Sequence, residues 1–258
     1  MGLKFIFGIF IFIASSARAQ VPLVESCFTP DQIRSEIADF QKRNAIALQT
    51  PAVPVEFVYS ELEFDIGGYG VFSNPEKVEI TIYGKKCKNG LLKKDELQLL
   101  LCHEIGHALA GEPYINFTYS VIKVSTEGQA DYYTTSKCLP ALWGDEDNRP
   151  FLKELENYPK LAEICTSPDD NKRGLCVRMG IASLNFSRYV FDPMSSGHHL
   201  STRSPGPYPE LDGHDPLIVK KTYLAEYPTA QCRLETYLAG MSKGARPSCW
   251  FRAEPAAH

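Results

Sequence analysis

The feature that most constrains the fold is the segment 93–110, whose apolar side chains recur with the spacing of an α-helix. Its broad apolar face consists of Leu97, Leu100, Leu101, Ile105, Ala108 and Leu109. A face of this width has to pack against a core, and Gly111 followed by Pro113 ends the helix. The pattern therefore predicts a helix that is packed into the body of a domain.

The other patterns predict further helices and a few early strands. Residues 53–59 and 77–83 alternate apolar and polar side chains and are rich in β-branched and aromatic residues, which is typical of strands. Between them, Gly67, Gly68 and Gly70 indicate a turn. Helices are predicted at 31–47, from Ser125 to Lys137, at 150–157, at 176–189 and at 228–240, and a long irregular loop at 192–213. This mixture predicts an α+β fold with a small sheet.

Residues 1–19 have the composition of a secretory signal peptide. Lys4 precedes an apolar stretch at 5–14, and the run 17–19 supplies small residues for a cleavage site. The alternative is an uncleaved membrane anchor, but an anchor needs about 20 apolar residues and the stretch at 5–14 is only half that long. We therefore expect a single domain at 20–258 that is secreted or periplasmic and is not stably inserted in a membrane after signal cleavage.

Charge and cysteine content narrow the class of protein. The chain of 258 residues has a formal charge of −4 and no cluster of basic residues, so nucleic acid is not an expected partner. All eight cysteines follow the signal segment, which predicts up to four disulfides in an oxidising compartment. Cys165 and Cys176 could close a local loop. No CxxC pair is present, which argues against a zinc ribbon or a thioredoxin-like site.

The helix at 93–110 contains the HExxH motif, written here as HEIGH. His103 and His107 are four residues apart, so both imidazoles lie on one side of the helix and can bind the same metal ion. Glu104 points beside that ion, where its carboxylate can act as a base on metal-bound water. The motif therefore predicts a Zn²⁺ site with Glu104 as the general base.

The best candidate for the third ligand is Glu127, which lies 20 residues after His107 at the start of the next predicted helix. Asp131 lies one turn further and could accept the outer N–H of a ligating histidine. The alternatives are a first-turn acid that favours the helix dipole and an exposed aspartate. Three rival ligands remain: His198, His199 and His214. The all-histidine metzincin type is disfavoured, because its HExxHxxGxxH spacing is absent: Ala and Pro occupy positions 110 and 113.

The HEIGH motif followed by the ExxxD element resembles the gluzincin metallopeptidases, in which a glutamate on a second helix is the third zinc ligand. Peptidases of the HtpX and CAAX prenyl protease family also have a His-Pro pair with an arginine five residues beyond the proline. This chain keeps Pro228 and Arg233 at that spacing but has Tyr227 in place of the histidine. The resemblance implies that Arg233 orients or stabilises the site, and a phenol at position 227 can donate a hydrogen bond to an oxyanion.

These observations predict a zincin-like zinc endopeptidase that acts on a protein or peptide substrate, resembling a soluble, exported relative of that family. In gluzincins an edge strand often pairs with an extended substrate, and the strand at 77–83 could do so here or could be a core strand. Two alternatives are a non-catalytic exported zinc protein and a hydrolase of a non-protein amide, such as a cell-wall peptide.

Overall fold

The structure, a computed structural model, describes residues 28–49, 53–62, 66–71, 74, 76–84, 92–115, 120, 122–191 and 206–253. Several predicted features lie outside these ranges: the signal segment 1–19, most of the loop at 192–213, Cys27, Cys87, His198 and His199. The signal peptide and the two rival histidine ligands therefore stay predictions.

The described chain is a mixed α+β structure, as the sequence predicts. Its helices are α1 (Pro30–Arg43), α2 (Ala45–Gln49), α3 (Lys94–Leu109), α4 (Glu127–Tyr133), α5 (Leu139–Trp143), α6 (Pro159–Ile164), α7 (Asp170–Phe191) and α8 (Ala230–Ser242). A π-helical turn at Thr134–Cys138 joins α4 to α5, and a 3-10 helix occupies Arg149–Glu156. The strands are β1 (Val55–Ser60), β2 (Gly67–Val71), β3 (Val78–Tyr83), β4 (Tyr114–Ile115) and β5 (Val124–Ser125). None of the described helices combines the length and the hydrophobicity needed to cross a bilayer.

Several predicted helix boundaries are wrong. The helix predicted at 176–189 is α7, which begins six residues earlier, at Asp170. The helix predicted at 31–47 is interrupted at Asn44, which ends α1 and donates its side-chain amide to the carbonyl of Phe40. Ser125 does not cap the helix that carries the ExxxD element, because its backbone pairs with Tyr114 between β5 and β4. The cap is Thr126, whose side-chain oxygen accepts the N–H of Gln129.

The main sheet has three strands in the order β1-β3-β2, with β1 parallel and β2 antiparallel to β3. The glycine run predicted as a turn is therefore the edge strand β2, in which Gly68 lies opposite Ile82. The strand predicted at 77–83 is central, with both of its edges paired, so the expectation that it pairs with a substrate is wrong. It is the core strand of the alternative interpretation.

Helix α3 lies at the centre of the fold and is buried from Glu96 to His107, including the positions outside its predicted apolar face. Its buried polar side chains have partners: Asn185 of α7 donates to Glu96, and the indole of Trp143 donates to Gln98. Buried polar groups that are hydrogen-bonded avoid most of the desolvation cost. The rest of the domain therefore encloses this helix instead of covering one face of it.

Three disulfides lie within the described residues: Cys102–Cys138, Cys165–Cys176 and Cys232–Cys249. The local loop predicted for Cys165 and Cys176 is confirmed. Cys102–Cys138 links α3 to the π-helical turn after α4. The other long-range bond links the start of α8 to the C-terminal segment. Both long-range bonds begin next to a predicted site residue, since Cys102 precedes His103 and Cys232 precedes Arg233.

Candidate metal centre

Helices α3 and α4 bring together the three residues predicted as metal ligands. One ligand atom from each of His103, His107 and Glu127 lies within 4.8 Å of the others, and all three residues are buried. The two helices cross closely, as the contact at Gly106 shows: a methyl group there would fall 3.0 Å from the Cα of Ala130. This contact lets the first turn of α4 reach the two imidazoles.

The outer nitrogen of His103 lies against a carboxylate. Its Nδ1 is 2.8 Å from Oδ1 of Asp131, and its Nε2 is 3.2 Å from Oε2 of Glu127. Asp131 is completely buried, so the alternative of an exposed helix residue is wrong. An N–H donated to Asp131 leaves Nε2 as the nitrogen with a free lone pair, directed at Glu127.

The outer nitrogen of His107 lies against the backbone. Its Nδ1 is 2.8 Å from the carbonyl oxygen of Ser125 in β5, and its Nε2 is 3.6 Å from Oε1 of Glu127. A carbonyl oxygen can only accept, so this Nδ1 donates as well. Both imidazoles therefore present Nε2 to the two oxygens of the same carboxylate.

This arrangement of acceptors fits a bound cation. Oε2 of Glu127 is buried and receives no well-directed hydrogen bond from the described residues. Two lone pairs and a carboxylate that face one another in a buried space repel unless a proton or a metal ion lies between them. Two histidine nitrogens and one glutamate oxygen form a donor set used by catalytic zinc sites. The residues therefore fit a divalent metal ion.

Without a metal, protons compete for the same atoms. Burial opposes a charge on His103, but the neighbouring Asp131 and Glu127 outweigh it and raise the pKa of His103 to about 10. Burial alone would raise the pKa of Glu127, yet His107, His103 and Arg233 lower that pKa to about 2. The Glu127 carboxylate is therefore ionised at neutral pH, as a metal ligand must be.

Glu104 lies beside this group and is not one of its three converging residues. It is buried, and strand β2 passes directly over it: a methyl group at Gly68 would fall 2.7 Å from the Glu104 carboxyl carbon. Any larger residue at position 68 would therefore force the Glu104 side chain to move. Burial raises the pKa of Glu104, and the charges of His103 and His107 oppose that rise. The carboxyl is thus held between the edge of the sheet and the two histidines.

Arg233 lies on the Nδ1 side of His103. Its Nε donates to Oδ2 of Asp131 at 2.8 Å and its Nη2 to Oδ1 at 2.7 Å, while Nη2 is 3.3 Å from Nδ1 of His103. The guanidinium is thus committed to the carboxylate. Tyr237, which no sequence motif marks, donates its hydroxyl to the same Oδ1 at 2.6 Å. The only signal for it in the sequence is its position four residues after Arg233 in a predicted helix.

Tyr227 lies at the site, whereas His214 does not. The negative charge of Glu127, together with burial and the charge of Glu104, raises the pKa of the half-buried Tyr227 phenol, which also forms a hydrogen bond with Glu127. The side chain of His214 is 76% exposed and lies 3.4 Å from Glu235 instead. Of the three rival ligands, the one that the structure describes is therefore excluded.

Comparisons with protein-family models, with curated proteins and with solved structures found no match to this chain. The resemblance to gluzincins accordingly depends on the sequence motifs alone.

Proposed function

We propose that this protein is a zinc-dependent endopeptidase of the gluzincin type, with a zincin-like fold and a resemblance to the HtpX and CAAX prenyl protease family. His103, His107 and Glu127 would hold Zn²⁺, and Glu104 is the general base. The observation that carries the proposal is that these three ligands converge in a buried space while Glu104 lies beside them without joining them.

A zinc ion held here would lower the pKa of a coordinated water and polarise a carbonyl group. Glu104 takes the proton of the attacking water and gives it to the leaving amine. Its burial beneath β2 favours this role, because desolvation raises the pKa of a carboxyl towards the range in which it both accepts and releases a proton. In this proposal Tyr227, whose raised pKa keeps the phenol protonated, donates a hydrogen bond to the developing oxyanion.

The sheet has one edge that suits a peptide substrate. Within the described residues β2 pairs along one side only, with β3, and its other side is the free edge nearest Glu104. An extended chain that adds to this edge forms backbone hydrogen bonds whatever its sequence. The substrate strand is therefore expected beside β2, where Gly68 brings the strand close to the general base.

Arg233 acts through Asp131 in this proposal, because its guanidinium is bound to that carboxylate. Asp131 in turn orients His103. The three disulfides agree with export to an oxidising compartment, which the signal segment at 1–19 predicts independently.

The test is Glu104→Gln, which keeps the shape of the side chain and removes the base. We expect metal analysis to show one zinc per chain, as in the wild type. The kcat for an unfolded casein-type substrate should fall about 10²- to 10⁴-fold. The control is Glu96→Gln, a buried glutamate on the same helix two turns before the motif, which should keep normal activity. Normal cleavage by the Glu104→Gln protein contradicts the proposal.

The same experiment separates the two other functions. Zinc binding with hydrolysis of peptidoglycan, but not of unfolded protein, would identify a non-protein amide as the substrate. Zinc binding without either activity would identify a structural site. A structural zinc site is less needed here, because the Cys102–Cys138 disulfide already links α3 to the segment that follows α4.

A further inference from the structure

Helix α8 presents two buried polar side chains, Arg233 and Tyr237, to the same carboxylate of α4. They are four residues apart, so they lie on one face of the helix. Oδ1 of Asp131 has three donors within 2.8 Å: Nδ1 of His103 at 2.8 Å, Nη2 of Arg233 at 2.7 Å and the hydroxyl of Tyr237 at 2.6 Å. One of these donors belongs to a predicted metal ligand.

The position of the Tyr237 ring is set independently of its hydroxyl. The residue is completely buried, its ring packs edge-on against Phe186 with 6.4 Å between the ring centres, and its carbonyl accepts the hydroxyl of Thr135 at 2.6 Å. A phenylalanine would make the same ring contacts. Within the described residues, the phenol hydroxyl bonds to Asp131 and to Arg233, which donates to it at 3.3 Å.

The directions of these bonds fix the carboxylate. Arg233 binds both oxygens of Asp131 and so sets the plane of the group. Tyr237 supplies a donor outside that pair, on the oxygen that also receives the N–H of His103. A carboxylate held in this way gives the imidazole one orientation, with Nε2 directed at Glu127.

We propose that Tyr237 is a positioning residue of the metal centre, whose hydroxyl locks Asp131 and thereby aims Nε2 of His103 at the ion. This inference rests on the proposed metal site. It predicts that removal of a single hydroxyl, which touches neither the metal nor the substrate, weakens metal binding.

The test compares Tyr237→Phe with Tyr189→Phe by competition of Zn²⁺ against a chelating dye. Tyr189 is a matched control, because it is also buried and also donates its hydroxyl within the core, to the carbonyl of Ile66. We expect Tyr237→Phe to raise the Kd for zinc on the order of 10-fold. Tyr189→Phe should leave it within about 2-fold, since the hydrogen bond that it removes is to the backbone carbonyl of Ile66. The visible absorption bands of bound Co²⁺ should shift in the first variant only.

A double-mutant cycle shows whether the hydroxyl acts through Asp131. In an Asp131→Asn background, Tyr237→Phe should weaken zinc binding much less than it does in the wild type. Equal loss of affinity in both backgrounds, or equal affinity of the two phenylalanine variants, overturns the inference. If the wild-type protein binds no zinc, the metal site itself is wrong. If the wild type binds zinc and Tyr237→Phe leaves the affinity unchanged, only the role of Tyr237 is wrong.

Discussion

The two histidines of the candidate metal centre are held by acceptors of different kinds. The Nδ1 of His103 meets a carboxylate, Asp131, which is itself held by two donors of α8. The Nδ1 of His107 meets a single backbone carbonyl, that of Ser125. The orientation of His103 therefore depends on buried charges from a distant part of the chain, and that of His107 depends on the path of the backbone between α3 and α4. The acceptor for His103 can be removed by a point mutation. The acceptor for His107 is a backbone carbonyl, so it is present whatever side chain stands at position 125.

The largest effect should follow from Asp131→Ala, which leaves Arg233 buried without its counterion and His103 without its acceptor. Removal of one partner of a buried ion pair costs about 3–5 kcal/mol of the free energy of unfolding. Urea denaturation of the metal-free protein measures this loss. A loss below about 1 kcal/mol is expected for an exposed pair, so it would contradict a buried ion pair between Asp131 and Arg233 behind His103.

The disulfide next to His103 should come second. Removal of Cys102–Cys138 or of Cys165–Cys176 by paired alanine substitutions should each cost about 2–4 kcal/mol, with the larger loss for the loop of 36 residues than for that of 11. Only the first pair joins the segments that carry the ligands, so only its loss should weaken zinc binding in the chelator competition. Similar weakening in both variants would mean that the bond acts through overall stability.

The pH dependence of zinc affinity should be next in size. The folded protein binds a proton on His103 more tightly than a free histidine does, since burial is outweighed by Asp131 and Glu127 and the pKa rises to about 10. Zinc has to displace this proton below that pH, so the affinity should rise about tenfold per pH unit, or roughly 100-fold between pH 6 and pH 8. In Asp131→Asn the pKa of His103 rises less, and the slope should be shallower. A slope of zero in the wild type would contradict the charged environment of His103.

The smallest effect should follow from Ser125→Ala. The substitution removes the hydrogen bond from the Ser125 hydroxyl to the carbonyl of Gly111, which is worth about 1 kcal/mol, and leaves the carbonyl that accepts from His107. Zinc affinity should therefore stay close to that of the wild type. A loss of affinity as large as that of Asp131→Asn would show that the two histidines are held equally strongly by side chains.

The sequence predicted the local part of the site because helical spacing is local. His103 and His107 share a face through the period of one helix, and the spacing of Glu127 and Asp131 places both on the side of α4 that faces them. The structure brings these four residues together as expected. Their geometry is a property of two short segments and of the closeness of the two helices.

The rest of the site depends on contacts between distant segments, which no local pattern encodes. The glycines of β2 are poor strand formers, yet Gly68 lies in a strand that pairs with β3 and passes against Glu104. Tyr237 reaches Asp131 because α8 packs on α4, across 106 residues of sequence. In both cases the role of the residue can be predicted only when its distant partner is known.

The two edges of the small sheet differ in accessibility. The outer side of β1 is covered where the side chain of Gln41 in α1 accepts the N–H of Phe57 at 2.8 Å. A strand from another molecule would have to displace that bond, whereas no such cap is seen on β2 in the described residues. Within the described residues, β2 is therefore the edge that a further strand could join without displacing a side-chain cap, and that strand would lie near Glu104.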